Sequence, residues 1–224
     1  MEDNMETSAK RTALRYGTIM FIASLFLSVA GCERKPAIKV PYYTDASFTP
    51  RWEQPSGPQD HHIGPFQFRD QEGRSVTGKE VSGRVFLANF FFTSCKGICP
   101  KMLVNMRQVY RHFYGNPAVL FLSHSVTPEQ DSVPRLRQYA AENEIAGTQW
   151  HLLTGDIKAI YAMARRSYFV EAAEGLSKEE TEFLHTENLV LVDRNGRIRG
   201  IYNGTLATEV PRIIEDINGL LAEK

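Results

Sequence analysis

Charge of one sign is what this 224-residue chain most plainly lacks: 26 Lys and Arg are matched by 26 Asp and Glu. No Lys/Arg-rich tract gathers locally, so neither bulk nor local charge provides a surface for nucleic acid. Internal repeats are absent, which argues against a repeat array. Cysteine is scarce, with three in the whole chain, so each one can be accounted for individually. No apolar run reaches the roughly 20 residues of a comfortable membrane span. The nearest approach is the uncharged stretch Tyr16 to Ala30. What the chain does have is 42% hydrophobic residues, enough for one well-packed domain and little more.

The short apolar stretch follows Lys10, Arg11 and Arg15 and ends in Val29-Ala30-Gly31-Cys32. A positive start, an apolar middle and small residues before a cysteine resemble a bacterial lipoprotein signal. That resemblance implies cleavage before Cys32 and a lipid on its sulfur; an uncleaved single-span anchor is the other reading. Either way the chain belongs to the cell envelope, membrane-anchored and facing the periplasmic or extracellular side. Residues 1–31 are thus expected to be a signal peptide, 32–60 a Pro-rich membrane tether, and 61–224 the folded domain. The tether holds Pro36, Pro41, Pro50, Pro55 and Pro58, and its Tyr42, Tyr43, Phe48 and Trp52 hint at partial packing on the domain.

The domain opens with a β-hairpin that turns at Asp70-Gln71-Glu72-Gly73. Strands are then expected at Val85–Phe92, Ala118–Ser123, Gln149–Leu153 and Asn188–Asp193. Helices are expected over Pro100–Phe113, over Pro128–Glu142, from Asp156 as cap to about Arg166, and over Leu206–Ala222. An acidic segment, Glu171 to Glu182, precedes the fourth strand, and Asp193-Arg194-Asn195-Gly196 turns that strand into a second hairpin. Alternation of this kind predicts an α/β, thioredoxin-like fold with a central mixed sheet, flanking helices and an N-terminal hairpin.

With Cys32 assigned to the lipid, Cys95 and Cys99 remain as a pair at the first strand-to-helix junction. About one helical turn separates them, close enough to share an ion or to form a disulfide. A helix N-terminus and Lys96 favour thiolate at one or both. Two soft thiolates suit Cu(I), and one imidazole would complete a site that also takes Cu(II). Of six histidines, His61 and His62 lie at the end of the tether, His112 late in a helix, and His151 within a strand as a packed core residue. His124, which ends the second strand and could line the same edge of the sheet, and His185, just before the fourth, both remain open as the third ligand.

The stretch Phe91-Phe92-Thr93-Ser94-Cys95-Lys96-Gly97-Ile98-Cys99-Pro100 resembles the signature of the Sco/SenC copper-binding proteins. These are membrane-tethered, thioredoxin-like proteins that help assemble the binuclear copper centre of cytochrome c oxidase. The likeness continues through Phe121 to Asp131, Leu153 to Asp156 and His185 to Gly196, covering about residues 60 to 222. It implies a metallochaperone with Cys95, Cys99 and His185 as ligands of a copper ion, Cu(I) or Cu(II). The implied partners are the copper-bearing oxidase subunit and other copper carriers or thiol-disulfide proteins. An alternative of another class is a thiol-disulfide reductase acting through the redox pair Cys95 and Cys99 on a partner's copper-site cysteines; a thiol peroxidase is a third. One departure stands out: Thr127 occupies the place where the family usually carries Asp, while Asp131 is retained to cap or orient.

Overall fold

The computed structural model describes residues 39–57, 60–145, 148–171 and 182–223. The signal-like segment, Cys32 and most of the acidic segment lie outside the described residues. The chain enters through the expected hairpin, β1 (Gln67–Arg69) and β2 (Ser75–Thr77), paired antiparallel. Its turn is drawn shut by Asp70, whose Oδ1 accepts from the Glu72 and Arg74 amides at 2.9 Å each. Thr77 then caps the short helix α1 (Gly78–Val81) in a reciprocal pairing with Glu80.

Seven consecutive buried residues form the central strand β3 (Val85–Phe91), which leads into helix α2 (Cys99–His112). Strand β4 (Val119–Ser125), helix α3 (Val133–Glu142) and strand β5 (Trp150–Leu153) follow. Helix α4 (Ile157–Ala162) is capped by the Asp156 carboxylate, which accepts from the Ala159 amide at 2.8 Å, and it runs on into a π-helical turn, Met163–Ser167. Strands β6 (Asn188–Val192) and β7 (Ile198–Asn203) make the second hairpin before helix α5 (Glu209–Ala222).

Among the described residues the main sheet is ordered β5–β4–β3–β6–β7. The β3–β4 and β4–β5 pairs are parallel, and β3–β6 and β6–β7 are antiparallel. This is the thioredoxin-like mixed sheet that the alternation predicted. Because side chains alternate along a strand, the sheet divides two cores. Val85, Leu87 and Phe91 of β3 and Val119 and Phe121 of β4 pack with Cys99, Met102 and Met106 of α2, with Leu136 of α3 and with Ile213 and Ile217 of α5. Phe86, Ala88 and Phe90 pack on the opposite face with Ile160 and Tyr161 of α4 and with Phe68 of the hairpin.

Of the boundaries that differ from expectation, two bear on the site. Strand β4 extends through His124 to Ser125, because its pairing with β3 continues to Phe91↔Ser125. Helix α3 begins at Val133 rather than at Pro128, because residues 127–131 close their own turn: the Gln130 and Asp131 amides both donate to the Thr127 carbonyl.

Part of the Pro-rich stretch packs on the domain. Val40 is fully buried, Tyr42 pairs with Arg51 and Tyr43 with Ile198, whereas Trp52 is exposed. Arg199 holds this entry point. Its buried guanidinium donates to the Val40 and Pro41 carbonyls, pairs with Asp193 and Glu223, and lies 3.9 Å from the centre of the Tyr42 ring. A buried cation is tolerated when its donors are satisfied in this way.

Candidate metal and thiol site

The site begins where β3 runs out. Strand geometry ends at Phe91, and the Thr93 amide and hydroxyl turn inward to a buried carboxylate, that of Asp131. Its Oδ1 accepts from Thr93 Oγ1 at 2.6 Å, and its Oδ2 accepts from the Thr93 amide at 3.2 Å, Ser125 Oγ at 2.6 Å and Thr127 Oγ1 at 3.1 Å. Arg135 Nε adds a bond to Thr93 Oγ1 at 3.1 Å. Asp131, just before α3 begins, therefore ties the start of the cysteine loop to the end of β4. Thr127 takes part in this network as a donor, so the position where the resemblance leads one to expect an acid here supports the acid that remains.

From that anchored start the loop carries Cys95, partly exposed, to Cys99, buried as the first residue of α2. Both are free thiols. Pro100 in the first turn of α2 lacks an N–H that would have had no helical partner anyway. The two sulfurs are unequal. Burial pushes the Cys95 thiol up, but hydrogen bonds from the Cys99 side chain and from the Cys99, Gly97 and Ile98 amides outweigh it, and its pKa ends below the ordinary value. Burial, with the Cys95 side chain next, pushes Cys99 up to about 12. Only one thiolate is favoured at a time, because a second would sit beside the first charge. Tyr139 of α3 feels the same pair: burial first, then the charges of Cys99 and Cys95, push its hydroxyl up to about 12. Nothing in the spacing marked Tyr139 as part of this site; only α3 packing beside α2 brings it there.

A cavity of about 370 Å³ opens over the pair. Its walls include Cys95, Cys99, Phe92, Val126, Phe183 and His185. The structure thus brings together three of the residues that the sequence singled out. The chain holds His185 between two buried anchors. Leu184 is fully buried, and Thr186 Oγ1 donates to the Val170 carbonyl at 2.9 Å. Alternation leaves His185 itself exposed at the cavity wall, its ring 6.2 Å from that of Phe183. Among the described residues no three His, Cys, Asp or Glu side chains already surround a single point as metal ligands. The donor types fit a soft ion nonetheless: two sulfurs and one imidazole suit copper better than any oxygen-seeking cation.

His124, the other candidate, is not at the site. In register with Phe90, it projects from the opposite face of the sheet to α2. It is fully buried among the rings of Phe90 (5.0 Å), Phe68 (5.6 Å), Tyr168 (5.6 Å) and Phe66 (6.3 Å). Neither of its ring nitrogens, nor the Tyr168 hydroxyl, has a hydrogen-bond partner among the described residues. Desolvation lowers its pKa to about 3, so it is neutral at physiological pH. His151 packs in the core as expected, with Nδ1 3.1 Å from Asp70 Oδ2. His112 is exposed. His61 is half-buried rather than free, its ring 4.4 Å from that of Phe169 and its Nε2 2.8 Å from the Ser167 carbonyl. His62 is exposed and bonds to the Asn195 carbonyl.

The SCO1/SenC family model matches residues 54–222. Over 169 residues the chain is 32% identical to the SCO1 protein homolog of Bacillus subtilis (strain 168), covering 74% of this chain and 86% of that one. Against the mitochondrial SCO1 homolog 1 of Arabidopsis thaliana the match is 29% and spans 41% of that protein's length. Among solved structures, BsSco, a Sco-family cytochrome c oxidase assembly protein in which a disulfide switch was identified, aligns with TM-score 0.62 at 29% identity. That alignment covers 77% of this chain and 100% of the other. A SCO1/SenC family lipoprotein from Bacillus anthracis aligns with TM-score 0.62 at 27% identity, covering 72% and 95%. Bradyrhizobium japonicum ScoI, solved with copper bound, aligns with TM-score 0.55 at 26%, covering 71% and 99%.

Proposed function

The chain belongs to the SCO1/SenC family, and from that premise we propose that it is a membrane-tethered copper carrier assisting assembly of the binuclear copper centre of cytochrome c oxidase. Copper is its cargo, held by the sulfurs of Cys95 and Cys99 and the imidazole of His185. The observation that carries this reading is the convergence of those three side chains on one cavity, although His185 lies 86 positions downstream of Cys99. The relatives support the cargo and the client: one was solved with copper bound, and another is a cytochrome c oxidase assembly protein. Residues 1–31 act as a lipoprotein signal and Cys32 carries the lipid, as the family's lipoprotein from Bacillus anthracis supports; the stretch 32–60, the latter part of which packs on the domain, tethers the working domain 61–224. Among the described residues no helix is long and apolar enough to cross a membrane.

Each residue's part follows from its surroundings. Cys95 is already biased toward thiolate by the donors around it, while Cys99 holds its proton beside the Cys95 charge and gives it up once a cation compensates that charge or Cys95 no longer carries it. Phe92, Val126 and Phe183 make the cavity wall largely apolar, which keeps water from competing for a soft ion. His185, exposed at the wall, supplies the harder nitrogen that Cu(II) prefers. Copper analysis of the reduced protein alongside its Cys95→Ser, Cys99→Ser and His185→Ala variants tests the assignment. One copper per chain is expected in the parent, with loss in either cysteine variant and a changed Cu(II) spectrum in His185→Ala. An unchanged spectrum in the histidine variant would remove His185 from the ligand set.

The inequality of the two thiols favours a second reading, a thiol-disulfide reductase. The Cys95 thiolate attacks one sulfur of a partner's disulfide, forming a mixed disulfide and releasing the other partner thiolate. Cys99 then loses its proton and attacks Cys95, leaving the Cys95–Cys99 disulfide and a reduced partner dithiol. This chain supplies both electrons. Reduction of a disulfide-bonded peptide from a copper-bearing oxidase subunit that survives His185→Ala would support this activity; loss of reduction in that variant would count against it.

A further inference from the structure

The neck of chain behind His185 is closed by a buried cation that neither reading has used. The π-helical turn Met163–Ser167 breaks the helical repeat and presents Met163, Ala164 and Arg165 to the interior in succession. Turns of this kind are frequent at functional sites. Arg165 is buried. Its Nε donates to Glu171 Oε2 at 2.7 Å, and a terminal nitrogen donates to the Glu182 carbonyl, three residues before His185. Glu171 is as buried as Arg165, with 6% of each side chain exposed. The guanidinium also lies 5.3 Å from the Tyr161 ring centre, and the Tyr161 hydroxyl donates to the Val126 carbonyl at 2.9 Å. Val126 lines the same cavity as His185. Beside this contact, the Val170 carbonyl accepts from both Thr186 Oγ1 and Asn188 Nδ2.

We propose that Arg165 is a positioning residue for His185. It joins the chain leaving α4 to the chain arriving at β6, and so holds the imidazole in the wall of the thiol cavity. A planar guanidinium suits this role because its fork can serve a carboxylate and a carbonyl at once, whereas an ammonium is a single point of charge. With the neck released, Leu184, Thr186 and Asn188 would still favour the present path, but His185 would sample other directions more freely. The metal-free part of this inference stands on hydrogen-bond geometry; its consequence for copper rests on the ligand set proposed above.

The experiment compares wild type, Arg165→Met, Arg165→Lys and His185→Ala. Amide hydrogen exchange is read on the metal-free full chain, and the Cu(II) absorption spectrum on the copper-loaded one. In Arg165→Met, amides of residues 183–188 should exchange at least about tenfold faster, with β3 and β4 unchanged. Arg165→Lys should lie between Met and wild type, and it decides the matter if the Met variant does not fold. The Cu(II) spectrum of Arg165→Met should move toward that of His185→Ala although the histidine is present. Wild-type exchange at 183–188 in both Arg165 variants would overturn the proposal. So would a uniform acceleration across the sheet, which would make Arg165 a general stability residue. If His185→Ala leaves the spectrum unchanged, the copper assignment fails while the exchange data still decide whether Arg165 holds the neck.

Discussion

Replacing His124 by leucine should flatten the acid side of the stability profile. In the folded protein this imidazole is caged by Phe66, Phe68, Phe90 and Tyr168, with no charged group against it among the described residues, and its pKa is lowered to about 3 by desolvation. In the unfolded chain it titrates near its ordinary value of about 6.5. Below that value the unfolded state binds a proton that the folded state refuses. Stability is therefore fully present above about pH 6.5 and is lost as the pH falls toward 3. Between pH 7 and pH 5 the unfolded imidazole goes from mostly neutral to almost fully charged, which costs the folded protein about 2 kcal/mol at about 1.4 kcal/mol per unit. Leucine has no such proton, and it also removes two buried nitrogens that lack partners, so at pH 7 the variant should be at least as stable as the parent. Urea unfolding of both proteins at pH 7 and pH 5 measures the effect, because the acid sensitivity of every other group cancels in the comparison. The parent should lose about 2 kcal/mol more than His124→Leu, roughly 1 M urea in midpoint for a slope of about 2 kcal/mol per molar. Equal losses would show that His124 is protonated or hydrogen-bonded inside the fold, and the argument from its burial would be wrong.

Three further outcomes test the site and its scaffold. Asp131→Asn exchanges one acceptor oxygen for a donor amide among the Thr93, Ser125 and Thr127 donors. The loss of about two charge-assisted bonds should cost about 3 kcal/mol and lower the melting temperature by about 6–12 °C, read by thermal unfolding; a change under about 2 °C would refute it. At neutral pH, brief iodoacetamide treatment with peptide mapping should modify Cys95 well before Cys99, since one thiol is lowered and the other pushed up to about 12. Modification of Cys99 first would reverse the assigned roles. Gly155→Ala would place a Cβ 2.7 Å from Cδ1 of the buried Phe68 ring. It should destabilise by about 1–3 kcal/mol in chemical denaturation, whereas a neutral result would mean that the hairpin can shift away.

Much of this was legible without coordinates. The apolar run before Cys95, the Asp156 cap and the Asp193–Gly196 turn each carry their own local signal, and each forms where that signal lies. The cysteine motif and the placed His185 carried the family resemblance, which the family model bears out over residues 54–222. The reading of His124 as open for the site failed on a single strand boundary. Read as the end of the second strand, the histidine could line the sheet edge beside the cysteines, but the pairing with β3 carries β4 on through Ser125, and the parity of the sheet turns the ring away from α2.

By itself, the sequence determined the element order, the mixed sheet and the presence of two thiols at a strand-to-helix turn, because those depend on local periodicity and on residues adjacent in the chain. Only the tertiary structure decided which face each strand residue serves. It alone made Cys95 the favoured thiolate and Cys99 the reluctant one, brought Tyr139 beside them, buried Asp131 beneath the loop and closed the neck with Arg165. Burial and the company of distant segments set each of these, and no local pattern encodes how much water a group loses when the chain folds.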